Sequence, residues 1–244
     1  MPTDISSQFV AISAPKLTPR LAEIHRQLVD NQAQQQYHSV WDCCCDHGYL
    51  GFNLVASALF QRCYFVDQIP HITEELLTVL QRHGGDSYRV ITADVGELHF
   101  DGSIKHCVII AGVGGRAIIE MLQGIQKNNA AAELDFILCA TNYVYDLRRY
   151  LGQQRMSLVE EVIVEDRGRQ YECLYLRGTP VAGASIISPV GAMWQADNAM
   201  HRRYQAKLLK HYRQQQRSQD SESLRQTIVY YQHCFGADWN EVTT

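Results

Sequence analysis

The sequence predicts an α/β fold: a mostly parallel, Rossmann-like sheet followed by a helical tail. Three observations predict it. From residue 17 to 154, short apolar runs alternate with amphipathic stretches, as expected for parallel strands joined by helical crossovers. Between residues 158 and 176, two strand-like runs are separated by only three residues, which reads as a hairpin. After 178–189, a stretch rich in Gly, Pro, Ser and Ala, helical periodicity takes over.

The elements follow in order. Leu17, Leu21, Ile24 and Leu28 recur at helical spacing, and the polar run 31–36 is expected to end that helix. Ser39–Cys43 reads as a buried strand and 51–60 as a helix. Residues 63–67 form a second strand, and the next helix carries Ile72, Leu76, Val79 and Leu80 on one face. Tyr88–Thr92 is a third strand. The fourth, 106–111, leads through Gly112-Val113-Gly114-Gly115 into a helix at 116–125. A fifth strand, 135–140, precedes a helix near 145–154. Strands 158–166 and 170–176 close the hairpin. Seven strands, five parallel and then an antiparallel pair, resemble the sheet of class I methyltransferases that use S-adenosyl-L-methionine (SAM). Beyond the linker, 193–216 and 221–235 read as two helices. Leu224, Ile228, Tyr231 and Phe235 share a stripe, which suggests a coiled-coil hairpin. The expected division is a SAM-binding domain at 1–178, a linker at 179–190 and a helical domain at 191–244.

The chain of 244 residues suits one α/β domain and a small accessory piece. A formal net charge of -4 excludes a globally basic nucleic-acid binder, so any such partner must be met by a local patch. No run is long enough to cross a bilayer, and the first residues lack a basic segment before an apolar one, so the expected location is cytoplasmic. The eight cysteines show no CxxC pair. Adjacent residues of a strand face opposite ways, so Cys43, Cys44 and Cys45 cannot all meet one ion; neither a metal site nor a disulfide framework is expected.

Ligands of an open parallel sheet bind beyond the carboxyl ends of the strands. Each strand end therefore offers candidates, set against a plainer reading. After the first strand, Asp42 and Asp46 suit the amino group of a bound amino-acid moiety and His47 can donate to it; the plainer reading is a turn with core cysteines. Asp67, ending the second strand, suits the ribose hydroxyls of an adenosine-containing cofactor; otherwise it caps a helix. Asp94 suits an adenine amino group, or is a solvated turn. Ala111 and Gly112 open a glycine loop that admits close approach to a sulfonium, or merely a tight turn. The absence of GxGxxG after the first strand counts against a nicotinamide enzyme. Asn142 can offer a donor and an acceptor to a base edge, Tyr143 can stack on a base, and Arg148 and Arg149 can meet phosphate; the alternatives are a cap, a core tyrosine and a solvated face. Finally, Arg202, Arg203, Lys207 and Lys210 make the first tail helix basic within an acidic chain, which suits RNA phosphate. Trp194, Tyr204 and Tyr212 are candidates for packing the tail.

These residues carry a resemblance. LTPRL at 17–21, DCCCDHGYL at 42–50, IAGVGG at 110–115, TN-x5-LRRYL at 141–151 and EDRGRQYECL at 165–174 are similar, in the same order, to motifs of the bacterial tRNA (adenine-22-N1)-methyltransferase family, TrmK. The likeness runs from about residue 17 to 235. It implies a class I fold, SAM as donor, and methylation of N1 of an adenine in the D-arm region of tRNA, at position 22. It also implies donor contacts at Arg20, Asp42, Cys44, Asp46, His47, Asp67, Asp94, Ala111 and Gly112, with Asn142 at the target base. Asn142, Asp46 and Gly112 are the expected catalytic set. The chain departs from the family at Cys44, where the family has glycine, and at Cys45, Gly51 and Thr141, where it has serine, proline and proline. Two rival readings follow: a catalytically impaired RNA-binding protein of the same fold, and a SAM enzyme with another substrate. A monomer or weak dimer is expected.

Overall fold

The computed structural model describes residues 14–82 and 85–235. One seven-stranded sheet has the order β3-β2-β1-β4-β5-β7-β6. Its strands are β1 Ser39–Cys43, β2 Arg62–Asp67, β3 Tyr88–Thr92, β4 Lys105–Ala111, β5 Glu133–Cys139, β6 Ser157–Asp166 and β7 Arg169–Arg177. The first five are parallel, and β7 pairs antiparallel with both β5 and β6. The strand order reverses at β1/β4, so the crevice above those two strands is where a ligand site is expected.

Alternation along the strands loads both faces. Val40, Phe65, Ile109 and Ile137 pack against α1 (Pro19–Gln35), α2 (Tyr49–Ser57) and α3 (Pro70–Gln81) through Leu28, Leu54 and Leu80. Trp41, Val66, Val108 and Leu138 pack against α4 (Gly115–Asn128) and α5 (Val144–Leu151) through Ile118, Leu122 and Leu147. A sheet buried on both faces needs near-continuous apolar strands, and β1, β4 and β5 supply them. Several polar groups inside are paired. His106 Nδ1 lies 2.6 Å from Ser39 Oγ, and Asp135 accepts from Tyr37 Oη at 2.6 Å beside Lys105 at 3.3 Å.

Most boundaries shift by a few residues from the sequence reading, and three of the shifts have a clear local reason. Helix α1 continues through the polar run to Gln35 and ends where Gln36 turns left-handed, φ 52°. That run holds no glycine or proline to stop it. The β6–β7 turn is tighter than expected: Arg167 (φ 50°) and Gly168 (φ 74°) are both left-handed, as a two-residue hairpin of matching twist requires. The first tail helix, α6, spans Ala199–Ser218 and starts later than expected because Asn198 caps it, accepting from Met200 N at 2.9 Å.

Helix α6 and the last helix, α7 (Glu222–His233), dock on the sheet domain through an aromatic cluster. Trp194 stacks on Tyr204 and also meets Tyr231 and Phe235, while Tyr212 stacks on Tyr231 and touches Tyr145 of α5. Among the described residues, no helix is long and apolar enough to cross a membrane.

Candidate active site at the lip of the sheet

The carboxyl ends of β1 and β2 carry the acidic candidates. The loop from β1 to α2 turns through three left-handed residues, Cys44 (φ 57°), Asp46 (φ 48°) and Gly48 (φ 66°). Glycine tolerates this freely, whereas a side chain there costs roughly 1 kcal/mol. The carboxylate of Asp67 holds the loop: Oδ2 accepts from Asp46 N at 3.3 Å and Oδ1 from Ile69 N at 3.1 Å. Asp42 lies behind it, buried, and accepts from Gly51 N at 2.9 Å. Burial raises its carboxyl to about 7, against the opposing Gly51 hydrogen bond, with Asp67 nearby adding to the rise. The Asp42 carboxylate is thus bonded inward, to the first turn of α2. In this structure the side chain supports the turn from within.

Cys44 is half-buried among the carboxylates of Asp67, Asp42 and Asp94. Burial, then those charges, push its thiol up to about 12, so it stays protonated at neutral pH and is a poor nucleophile. The side chains of Asp46 and His47 are exposed, 3.9 Å apart. Asp94, also exposed, caps a short 3₁₀ turn at Val95–Glu97 by accepting from Gly96 N at 2.8 Å. Across the lip, Arg20 lies 4.9 Å above the Tyr171 ring. Its buried Nε has no hydrogen-bond partner among the described residues. Its guanidinium stands beside Gly112, where a Cβ would come within 3.9 Å of Nη1. Ala111, half-buried, ends β4 just before it.

The glycines after β4 answer a packing demand. A Cβ on Gly115 would sit 2.4 Å from Tyr143 O, and one on Gly114 would sit 2.6 Å from Asn142 Oδ1. The two loops are zipped by Gly115 N donating to Asn142 O at 2.9 Å and Thr141 N to Val113 O at 2.8 Å. This seam sets Asn142, exposed, against the glycine loop. Tyr143 follows in a left-handed conformation, φ 51°, and is 46 % exposed.

From Asn142 and Tyr143 a cleft of about 1090 Å³ opens toward α6, lined also by Arg116, Lys207, Lys210 and His211. Lys207 and Lys210 are exposed and have no ion-pair partner among the described residues. Arg202 donates to Ala196 O, and Arg203 pairs with Glu165 at 3.2 Å, both on the exposed side of α6. Arg149 is exposed and donates to Ser223 Oγ at 3.2 Å. Arg148 is a correction: it is fully buried between Glu172 (2.5 Å) and Glu161 (2.7 Å). It ties α5 to the hairpin and has no surface to offer a phosphate. Sequence reasoning missed Arg116, whose guanidinium lies 4.0 Å over the Tyr143 ring and whose Nε donates to Asp146 at 3.1 Å. Its position directly after the glycine loop, at the start of a helix, was the available signal.

Comparisons with known proteins agree with this layout. A family model described as a methyltransferase domain matches residues 17–174. A Mycoplasma pneumoniae protein named "Putative tRNA methyltransferase" is 31 % identical over 143 residues, 57 % of this chain. The chain spans 62 % of that relative's length. The crystal structure of the B. subtilis m1A22 tRNA methyltransferase TrmK is similar in fold, with a TM-score of 0.67 and 21 % identity over 93 % of this chain and 97 % of that one. A Streptococcus pneumoniae structure titled "a putative tRNA (m1A22) methyltransferase", solved with SAM, has a TM-score of 0.71 and 21 % identity over 90 % and 99 %.

Proposed function

We propose, on the premise that this chain belongs to the methyltransferase-domain family, that it transfers a methyl group from SAM to N1 of an adenine in tRNA, at position 22 of the D-arm region. One observation carries the reading: the cleft at Asn142 joins the lip of the sheet, where a donor is expected, to an exposed cationic face of α6. The names of the similar proteins support the same substrate. The reaction belongs in the cytoplasm, with residues 1–178 holding the donor, 179–190 linking and 191–244 meeting RNA.

The residues at the lip fit such a donor. The unpartnered Nε of Arg20, the exposed Asp46 and Asp94, and the open approach over Gly112 offer cationic, anionic and uncrowded positions for an amino acid, an adenosine and a sulfonium. When bound, SAM supplies an electrophilic methyl group on sulfur. Adenine N1 brings its own lone pair, so the N–C bond forms as the C–S bond breaks, with no proton to remove. The task of the chain is positioning. Asn142 presents its amide to the edge of a base turned out of its stack. The glycine loop lets that base come close. Asp67, while still holding Asp46 N, would accept from the ribose hydroxyls, and the exposed carboxylate of Asp46 would offset the positive charge left on the methylated base.

Transfer of tritium from labelled SAM to bulk tRNA, followed by nucleoside analysis, tests the reading. Label in 1-methyladenosine is expected, and Asp67→Ala is expected to weaken donor binding by roughly tenfold or more. Label in another nucleoside, or in none, overturns it. A second reading, an RNA-binding protein without catalysis, is favoured by Cys44, a side chain in a left-handed turn among three carboxylates. Under that reading, calorimetry detects no SAM binding at millimolar ligand.

A further inference from the structure

The mouth of the cleft holds one arrangement that the proposed transfer leaves unused. Tyr143 is fixed by its left-handed backbone at the end of the zipped loops and stands 46 % exposed. The Arg116 guanidinium covers its ring at 4.0 Å, and the Arg116 side chain is 64 % exposed. The face of the guanidinium turned away from the ring is thus open to solvent. Asp146 restrains the rotation of that plane, because its carboxylate accepts a hydrogen bond from Nε at 3.1 Å. A charge needed only for attraction requires no such fixing; a lysine would serve as well.

Resting on the RNA-binding part of the proposed function, we infer that Arg116 is a base-stacking residue: its guanidinium plane extends the Tyr143 ring and receives the face of an unpaired nucleotide beside the target adenine. Arginine planes and aromatic rings are the surfaces on which splayed RNA bases stack. The occupant is an unpaired base of any identity, since every base has a π face. With Nε taken by Asp146, the terminal nitrogens remain to donate to the phosphate or the base edge of the same nucleotide. Lys207, Lys210 and His211 line the same cleft, so the backbone of the strand has cationic groups to follow. Asp146 is then a positioning residue that acts through Arg116.

The test uses the full chain without donor and a short single-stranded RNA carrying 2-aminopurine, whose fluorescence is quenched on stacking. Wild type is expected to bind and change the quenching. Arg116→Lys keeps the charge and removes the plane. It is expected to leave the salt dependence of binding nearly as in wild type, to abolish the change in quenching, and to weaken binding about tenfold. Asp146→Asn is expected to fall between the two. Circular dichroism confirms that each variant folds. If wild type binds but Arg116→Lys matches it in affinity and fluorescence, the inference fails and the proposed function stands. If wild type binds neither this RNA nor tRNA, both fail.

Discussion

The lip of the sheet has two halves that differ in sign and in readiness. At the ends of β1 and β2 the two strand-end side chains are acidic and turned inward: Asp42 is held by Gly51 N, and Asp67 by Asp46 N and Ile69 N. Over β5 and α6 they are cationic and turned outward, with Lys207 and Lys210 exposed on the cleft. A carboxylate held by backbone N–H groups keeps further lone pairs, so Asp67 can hold its loop and still accept from another donor. A cationic face gains by meeting an anion and shedding its counterions. The difference teaches that the small negative net charge of the chain conceals an uneven distribution of charge, acidic at the ends of β1 and β2 and cationic along α6, and the proposed function assigns the donor to the first and RNA to the second.

The sharpest way to break this division is at Arg148, the one arginine of the basic half that does not face solvent. Arg148→Ala leaves Glu172 and Glu161 without their partner, Glu172 fully buried. A loss of about 3–5 kcal/mol is expected, read as a lower midpoint in chemical denaturation. An effect on tRNA affinity in a variant of unchanged stability would restore Arg148 to the RNA face.

That correction shows where the sequence stops being legible. Strands β1 and β3 were readable to the residue, because Ser39–Cys43 and Tyr88–Thr92 are short runs built around β-branched and aromatic residues, each following a polar stretch. The pairing of Arg148 with acids 24 and 13 positions away was not, since nothing local distinguishes a buried arginine from a solvated one. Asp67 was legible as a site candidate from its place at a strand end. The inward turn of Asp42 was not, because it depends on the Gly51 N–H presented by a folded helix. The start of α6 was misjudged because Trp194 and Met193 have helical spacing to Tyr204 but pack from an irregular segment, in which Trp194 Nε1 donates to Val190 O.

The acidic half can be probed through its buried carboxyl. The folded value of Asp42 is about 7, against an ordinary 3.8. A raised value means that the stability supplied by the protonated form is complete below about pH 4 and is lost as pH rises through 7. Asp42→Asn keeps an acceptor for Gly51 N and cannot ionise. It should therefore gain on wild type as pH rises from 4 to 8, by on the order of 4 kcal/mol, read as diverging melting temperatures. Parallel curves would mean that the carboxyl ionises without penalty.

On the cationic half, the double variant Lys207→Ala, Lys210→Ala should weaken tRNA binding about tenfold near physiological salt. It should also reduce the slope of log affinity against log salt by about 1 to 2. Donor affinity should not change; if it falls, the two halves are not separate. The smallest effect is expected at Cys44→Gly. Removing a side chain from a left-handed position relieves roughly 1 kcal/mol, partly offset by the greater freedom of glycine when unfolded. Stability should move little, while calorimetry should find SAM bound several-fold tighter once the thiol has left the carboxylate cluster. Equal affinity would show that the thiol does not obstruct the donor.

Glu172 holds Arg148 with one oxygen and receives the hydroxyl of Tyr204 on the other, at 3.0 Å. The same carboxylate thus anchors α5 and α6 to one strand. A jaw bolted at its hinge has a single gape, so the span from Asn142 to the lysines is set before anything enters. If the proposed function holds, whatever bending is needed to bring a reactive atom to one end and a backbone to the other falls on the guest, and a stiff guest of the wrong curvature is turned away without any of its letters being read.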